Sequence, residues 1–152
     1  MANNISNMVE LGEVEESFVH ATQLMYAMAL PMALQSATEL GIFDVLQKAG
    51  KDAQLSADEI ASRISCNNPD APKMLDRILA LLASHDVLKC MVVQDEQKLG
   101  SFHRLYSMAP VARFFVPDSD GVSLGPLFAL IQDKAVFASW SVHLLLHSTS
   151  IY

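Results

Sequence analysis

Two histidines, His143 and His147, have the spacing of a metal-binding pair. Four residues apart on a helix, both imidazoles would lie on one face, as in zinc-binding pairs. No acidic residue or cysteine follows to complete a site, and three leucines separate the two histidines. We therefore interpret this spacing as coincidental and predict no metal site. The isolated His20, His85 and His103 are interpreted as surface or capping residues.

Motifs for catalysis or for cofactor binding are also missing. The sequence has no Gly-x-Ser-x-Gly segment, no cysteine–histidine arrangement and no strand followed by Gly-x-Gly. A Rossmann-type site for a dinucleotide or similar cofactor is therefore not encoded, and no residue receives a catalytic role. Cys66 and Cys90 lie far apart in the sequence, which favours two structural thiols in a reducing compartment.

The composition indicates that the chain has an apolar partner. Of its 152 residues, 51% are hydrophobic and only 18% charged, against roughly 25% charged in a typical soluble domain. The length suits one domain, whose interior is limited, so part of the apolar surface should contact another protein or domain. The net charge of -7 gives no electrostatic basis for binding nucleic acid or an anionic membrane.

The first elements that could form such a surface are N-terminal helices. After a polar segment of residues 1–12, which we expect to be frayed, apolar residues recur at alternating steps of four and three. Beyond Gln23 they occupy the whole circumference, which predicts a helix buried on most sides. Pro31 either kinks this helix or begins a new one that ends before Gly41, a C-terminal cap. The periodic residues are Val14, Phe18, Ala21, Met25 and Met28.

A membrane-spanning interpretation of this region is rejected. Residues 21–38 carry no charge, but their apolar core is only about half the ~20 residues that a span requires. The N-terminus shows no basic segment followed by an apolar one, as a secretory signal would. We therefore expect a cytoplasmic protein without a membrane partner.

The middle of the chain has winged helix-turn-helix order. Ser56 and Glu59 form a predicted capping box that opens one helix. Asp70 is predicted to cap the next, with Pro72 in its first turn and an apolar face of Met74, Leu75, Ile78, Leu79 and Leu82. Residues 87–93 and 104–108 then predict a β-hairpin, with its turn at residues 95–98. The predicted fold class is mainly α, with a small hairpin wing.

The C-terminal third is again predicted to be helical. Residues 110–115 form a short segment, and residues 123–145 contain one or two apolar helices separated near Gln132. We assign residues 13–140 to the winged-helix domain and residues 141–152 to a divergent tail. The eight methionines fit adaptable core packing; the alternative is a malleable lining for an aromatic ligand, as in a vestigial ligand-binding module.

A winged helix could also belong to a DNA-binding regulator. The recognition helix of such a protein would be residues 70–84, where Lys73 and Arg77 are balanced by Asp70 and Asp76. Binding to phosphates requires a basic stripe, so this alternative is disfavoured and the winged helix is better interpreted as a scaffold.

Several strings resemble the N-terminal part of plant caffeic acid O-methyltransferases, and they run in family order from about Phe18 to Trp140. The most specific are Asn-Pro-Asp-Ala-Pro and Met-Leu-Asp-Arg. The strings occupy residues 30–34 (Leu-Pro-Met-Ala-Leu), 37–43 (Ala-x-Glu-Leu-Gly-Ile-Phe), 57–61 (Ala-x-Glu-Ile-Ala), 68–79 (Asn-Pro-Asp-Ala-Pro-x-Met-Leu-Asp-Arg-Ile-Leu), 104–106 (Arg-Leu-Tyr), 120–123 (Asp-Gly-Val-Ser), 132–134 (Gln-Asp-Lys) and 139–140 (Ser-Trp).

The resemblance implies a winged-helix domain that forms an intimate homodimer. In this family a separate Rossmann-like domain binds S-adenosylmethionine and carries a histidine base, while the N-terminal domain supplies apolar residues to the wall of a phenolic-substrate pocket. By resemblance, the pocket-wall residues of this chain would be Met28, Ala29, Leu127, Leu130 and Ile131. The dimer interface is predicted at Phe18, Met25, Met28 and Met32.

Two departures from the family pattern qualify this prediction. Relatives that act on phenylpropanoids often have asparagine at the position of Ile131, so its replacement argues against a caffeate-like substrate. After Trp140 the sequence diverges, and the family's glycine-rich cofactor motif, acidic ribose ligand and catalytic histidine do not appear. We therefore expect no methyltransferase activity from this chain alone, and expect it to form homodimers or heterodimers with full-length relatives.

Overall fold

The computed structural model describes residues 2–64, 66, 68–94 and 100–139 of a mainly α protein with a small antiparallel sheet, as predicted. The chain divides into two compact units, residues 1–32 and 33–152. The elements are α1 (Ala2–Met25), α2 (Ala29–Glu39), α3 (Ile42–Ala49), β1 (Leu55–Ser56), α4 (Ala57–Arg63), α5 (Ala71–Ser84), β2 (Leu88–Gln94), β3 (Phe102–Met108), a 3-10 helix (Pro110–Phe115), α6 (Gly125–Ile131) and α7 (Lys134–Ser139).

The N-terminal region is helical from Ala2, ahead of the predicted start at Glu13. The fraying of residues 1–12 in solution remains a prediction. The predicted domain bounds also remain a prediction. A turn at residues 26–28 ends α1, and the amide of Ala29 donates to the carbonyl of Tyr26 at 2.9 Å. Pro31 therefore lies in the first turn of a new helix, where its missing amide hydrogen costs no intrahelical bond. The alternative that Pro31 lies at the start of a new helix, instead of kinking a continuous one, is confirmed.

Gly41 ends α2 in the left-handed conformation, with φ of 68°, as expected of a C-terminal cap. Its amide donates to the carbonyl of Thr38 at 3.0 Å, and the chain continues directly into α3. The tight connection turns the buried residues Ile42, Phe43 and Leu46 into the core of the second unit.

The winged helix is formed by α3, α4 and α5 with a sheet of strand order β1-β3-β2. The predicted capping box is present: Ser56 Oγ accepts the Glu59 amide at 3.3 Å, and the Ser56 amide donates to Glu59 Oε2 at 2.8 Å. The hydrogen bonds from the Ser56 backbone and side chain lower the pKa of Glu59. The predicted turn at residues 95–98 lies outside the described residues.

The start of α5 differs from the prediction for Asp70. The Asp70 side chain makes no capping bond, because its backbone is already in the right-handed helical region, whereas an N-cap residue is extended. Asn68 takes over this role: its Oδ1 accepts the Asp70 amide at 2.9 Å and its carbonyl accepts the Ala71 amide at 3.0 Å. Pro72 is in the first turn of α5, as predicted.

The predicted apolar face of α5 is only partly confirmed. Leu75, Leu79 and Leu82 are buried, whereas the side chain of Met74 is 58% exposed and Ile78 is half-buried. The predicted apolar face extends further around the circumference of α5 than the surface against which the sheet and the neighbouring helices pack. The prediction that Met74 belongs to the core was wrong.

A polar contact joins α5 to β3. The buried Tyr106 donates its hydroxyl hydrogen to Asp76 Oδ1 at 2.7 Å, and Arg104 donates to Asp76 Oδ2 at 2.6 Å. Burial and the hydrogen bond to Asp76 raise the pKa of Tyr106 well above its usual range. Tyr106 and Arg104 are two residues apart on one strand, so both side chains lie on the face of the wing that meets α5.

Three phenylalanines fix α6 to the second unit. Phe115 of the 3-10 helix stacks on Phe43 of α3 with ring centroids 5.7 Å apart, and meets Phe128 of α6 edge-on at 6.1 Å. Gly125 is buried at the start of α6, where a Cβ atom would lie 3.4 Å from Thr38 Cγ2. The break between α6 and α7 falls at Gln132 and Asp133, as predicted.

Candidate functional site

The most prominent candidate surface is an apolar stripe along α1. Val14, Phe18 and Met25 have exposed fractions of 65%, 71% and 76%, and their spacing places them on one helix face. The helix predicted to be buried on most sides beyond Gln23 is not so in the single chain, because Leu24, Met25 and Tyr26 are each about two-thirds or more exposed. Fully burying a side chain of this size stabilises a complex by roughly 1.5–3 kcal/mol, so the stripe favours a contact that covers it.

The turn between α1 and α2 extends this apolar surface. Met28 and Met32 are both exposed, as is Ala29, the first residue of α2. All four residues predicted for the dimer interface, namely Phe18, Met25, Met28 and Met32, are thus accessible and lie in the unit of residues 1–32.

In the second unit, α6 brings together three of the five residues predicted for a substrate-pocket wall. Leu127, Leu130 and Ile131 have the i, i+3, i+4 spacing of one helix face, and each is more than half exposed. Phe128 faces the opposite way and anchors the helix. Met28 and Ala29, the other two predicted wall residues, belong to the unit of residues 1–32.

Sequence reasoning missed a groove on the outward face of α5. It has a volume of about 330 Å³ and is lined by Met74, Arg77, Ile78 and Leu81. The spacing of residues 74, 78 and 81 contained the signal, because it defines a stripe separate from that of residues 75, 79 and 82. The apolar positions of α5 thus form two faces, one buried and one accessible.

The described residues do not fit the cofactor that the resemblance implies. A Rossmann-type S-adenosylmethionine site needs a parallel strand that leads through a glycine-rich loop into a helix. In the described part of the chain the sheet is antiparallel, and β1 leads into α4 without a glycine. We therefore assign no residue to this cofactor.

No group of three potential metal ligands lies among the residues that the structure describes, and His143 and His147 are outside them. Over the same residues, no helix is both long and apolar enough to cross a membrane. Cys66 and Cys90 are exposed free thiols.

The winged-helix fold and its apolar surfaces fit a domain that associates with another protein. A family model described as the O-methyltransferase dimerisation domain matches residues 22–118, well over half of the chain. The chain belongs to this family, and the family prediction from the sequence is confirmed.

Curated relatives are plant methyltransferases. The chain is 48% identical to esculetin O-methyltransferase of Kitagawia praeruptora, over 84% of this chain and 35% of that protein. It is 47% identical to caffeic acid 3-O-methyltransferase 1 of Populus tremuloides, over 83% and 34% respectively. Anthranilate N-methyltransferase of Ruta graveolens is 48% identical over 83% and 33%. The chain thus spans about a third of the length of these relatives.

A solved structure supports the fold. The crystal structure of human N-acetylserotonin methyltransferase in complex with SAM aligns with a TM-score of 0.59 at 14% identity, covering 78% of this chain and 31% of that one. At this identity the likeness concerns the fold alone. None of these relatives supports the alternative of a DNA-binding regulator.

Proposed function

We propose that this chain forms a homodimer through the apolar surface of residues 14–32. The observation that carries the proposal is the exposed stripe of Val14, Phe18 and Met25 in a member of a dimerisation-domain family. A small folded chain rarely leaves several large apolar side chains exposed on one face unless another surface covers them.

Solution mass tests this proposal directly. Light scattering after size exclusion should give twice 16.6 kDa for the wild-type chain. Phe18→Asp should shift the protein to monomer, because the new charge would have to be desolvated in the interface. Val19→Asp is the matched control: Val19 is also exposed on α1 but points away from the stripe, so this variant should remain dimeric. A monomeric wild type at high concentration would refute the proposal.

We further propose that α6 contributes to the wall of a pocket for a small aromatic substrate when the domain acts with a methyltransferase catalytic domain. The proposal is supported by the exposed row of Leu127, Leu130 and Ile131 and by relatives named for esculetin, caffeic acid and anthranilate. In such an enzyme S-adenosylmethionine would supply the methyl group. Met28 and Ala29 stay predicted wall residues on the ground of the family resemblance alone.

A chimera in which this chain replaces the matching third of the esculetin enzyme would test this second role. If the wall proposal holds, Leu130→Asp in the chimera should leave its solution mass unchanged but weaken binding of esculetin by about tenfold, whereas Lys134→Ala should leave binding unchanged. Equal binding by both variants would contradict the role of α6 but not dimerisation.

A further inference from the structure

A cavity in the second unit combines buried apolar residues with exposed charged ones. It lies where α3, the 3-10 helix and the wing meet, and its volume of about 580 Å³ is in the range of small-molecule sites. Its apolar floor includes the buried Leu46 and Ala109 and the half-buried Met108. The cavity therefore offers a ligand an apolar surface as well as a polar border.

Backbone hydrogen bonds hold the residues that line this cavity. The amide of Gly50, which follows α3, donates to the carbonyl of Gln47 at 3.1 Å. On the other side, the amide of Ala109 donates to the carbonyl of Val87 at 3.4 Å. A ligand would thus meet a preformed surface, and little conformational freedom of the backbone would be lost on binding.

Three cationic side chains from different parts of the fold line the cavity. Lys51 follows α3, Lys89 is on β2 and Arg113 is in the 3-10 helix, and all three are exposed. Among the described lining residues they face one carboxylate, that of Asp52. Positive charge is therefore in excess at this cavity, although the chain as a whole has a net charge of -7.

The described carboxylates do not neutralise these cations. The ion pair in the described part of the chain joins Arg104 to Asp76, and neither residue lines the cavity. Arg113 instead stacks on the ring of Phe114, with its Cζ atom 4.7 Å from the ring centroid. Stacking uses the face of the guanidinium, so the N–H groups in its plane can still donate to an anion.

Asp118 is the acidic residue that shares an adjoining cavity with Arg113. Its Oδ1 atom accepts the amides of Asp120 and Val122, both at 2.9 Å, and so stabilises its own loop. It forms no ion pair with Arg113 among the residues that the structure describes. The guanidinium of Arg113 is therefore available to an external anion.

We propose that this cavity binds a small organic acid, with its carboxylate at the three cations and its apolar body against Leu46 and Met108. A guanidinium matches a carboxylate through two parallel hydrogen bonds, which makes Arg113 the principal contact. The cavity includes no residue of the stripe on α1 or of the exposed row on α6. The proposal is therefore independent of the homodimer and of the pocket wall.

Titration of the ¹⁵N-labelled chain with 2-naphthoate at low salt tests the site. The amide signals of Gly50, Lys51, Lys89 and Arg113 should shift together, whereas those of α1 and α6 should not. 2-Naphthylmethanol has the same rings without the charge and should bind about tenfold more weakly, because it forms no charge-assisted hydrogen bond. Inorganic phosphate should also bind about tenfold more weakly, since it covers none of the apolar floor.

Charge-removing variants identify the cations that bind the ligand. Arg113→Gln should raise the dissociation constant of 2-naphthoate about tenfold, and Lys89→Gln should raise it several-fold. Arg63→Gln is the matched control, because it removes the same charge at an exposed position of α4 outside the cavity, and it should leave affinity within about twofold of wild type. All three positions are exposed, so the unfolding transitions should stay close to wild type.

Three outcomes would overturn the proposal. They are amide shifts confined to α1 or α6, equal affinities for 2-naphthoate and 2-naphthylmethanol, and equal effects of Arg113→Gln and Arg63→Gln. Each of them would leave the proposed homodimer standing, because the solution mass of the chain is measured separately.

Discussion

Tyr106 on β3 donates its hydroxyl hydrogen to the carboxylate of Asp76 on α5, 30 residues earlier in the chain, at 2.7 Å. The tyrosine is fully buried, whereas Asp76 is partly exposed and also accepts a hydrogen bond from Arg104. The contact joins the wing to α5. It satisfies the only polar group of a side chain that otherwise belongs to the core.

Removing that hydroxyl group tests its contribution to stability. Tyr106→Phe should lower the free energy of unfolding by about 1–2 kcal/mol, because a buried side chain loses its hydrogen bond to a charged acceptor. Tyr26→Phe, at an exposed position, is the control and should change stability by less than about 0.5 kcal/mol. Urea unfolding followed by circular dichroism gives both values. If Tyr106→Phe were as stable as wild type, the hydrogen bond to Asp76 would add nothing to the stability that the buried ring provides.

The capping box predicts a specific pH dependence. The pKa of Glu59 is lowered in the folded state, so the unfolded chain binds the proton more readily. The stabilisation is therefore fully present above the unfolded pKa near 4.5 and is lost as pH falls through the lower folded value. Glu59→Gln should flatten this part of the curve of unfolding free energy against pH. An unchanged slope below pH 4.5 would contradict this account.

The serine of the same box provides a second test. Ser56→Ala should cost about 1 kcal/mol at neutral pH, because the amide of Glu59 loses its side-chain acceptor. Ser62→Ala is the control within α4, since its hydroxyl only donates to a helix carbonyl that is already in the helical ladder. Urea unfolding at pH 7 should therefore separate the two variants. If both variants lost the same amount of unfolding free energy, the hydrogen bond from the Glu59 amide to Ser56 would have no special role in stabilising α4.

Gly41 should be sensitive to substitution because of its backbone. Gly41→Ala should destabilise the protein by about 1–2 kcal/mol, since φ of 68° brings the Cβ atom of an L-residue too close to the backbone. Gly41→Asn should cost less, because asparagine tolerates the left-handed region. The midpoints of urea unfolding would rank the three proteins. A Gly41→Ala protein as stable as wild type would show that the connection between α2 and α3 can relax.

The two faces of α6 should respond differently to truncation. Phe128→Ala should cost about 2 kcal/mol or more, because the half-buried ring loses its edge-on contact with Phe115. Leu130→Ala, on the exposed face, should change the free energy of unfolding by less than about 0.5 kcal/mol. Both values come from urea unfolding of the single-site variants. A large cost for Leu130→Ala would show that this face is already covered in the purified protein.

The elements that sequence reasoning predicted best depend on local chemistry. Two examples are the capping box of Ser56 and Glu59 and the cap at Gly41. Each depends on groups within about three residues of each other, so the sequence pattern predicts it without knowledge of the tertiary structure. The failure at Asp70 was also local: Asn68, two residues earlier, accepts the amides of Asp70 and Ala71, and residue types alone do not decide which of two nearby candidates caps the helix.

Burial was harder to predict because it depends on neighbours distant in sequence. Apolar periodicity identified Phe18 and Met25 as positions to be covered, but not which chain covers them. On α5 it combined Met74 with Leu75, although only Leu75 faces the core. The contact of Tyr106 with Asp76 gave no sequence signal, because hydrogen bonds between residues 30 apart leave no periodicity.

The ion pair between Arg104 and Asp76 also has a consequence for nucleic acids. A protein gains affinity for DNA when free cationic side chains displace the condensed counterions of the phosphate backbone. In this wing the guanidinium of Arg104 already has a carboxylate at 2.6 Å, so a phosphate would have to replace an intramolecular anion instead of a sodium ion. The fold keeps the outline of a groove-reading module, but the guanidinium of Arg104 on its wing is already paired within the protein. Its association with polyanions should therefore be weak even at low ionic strength.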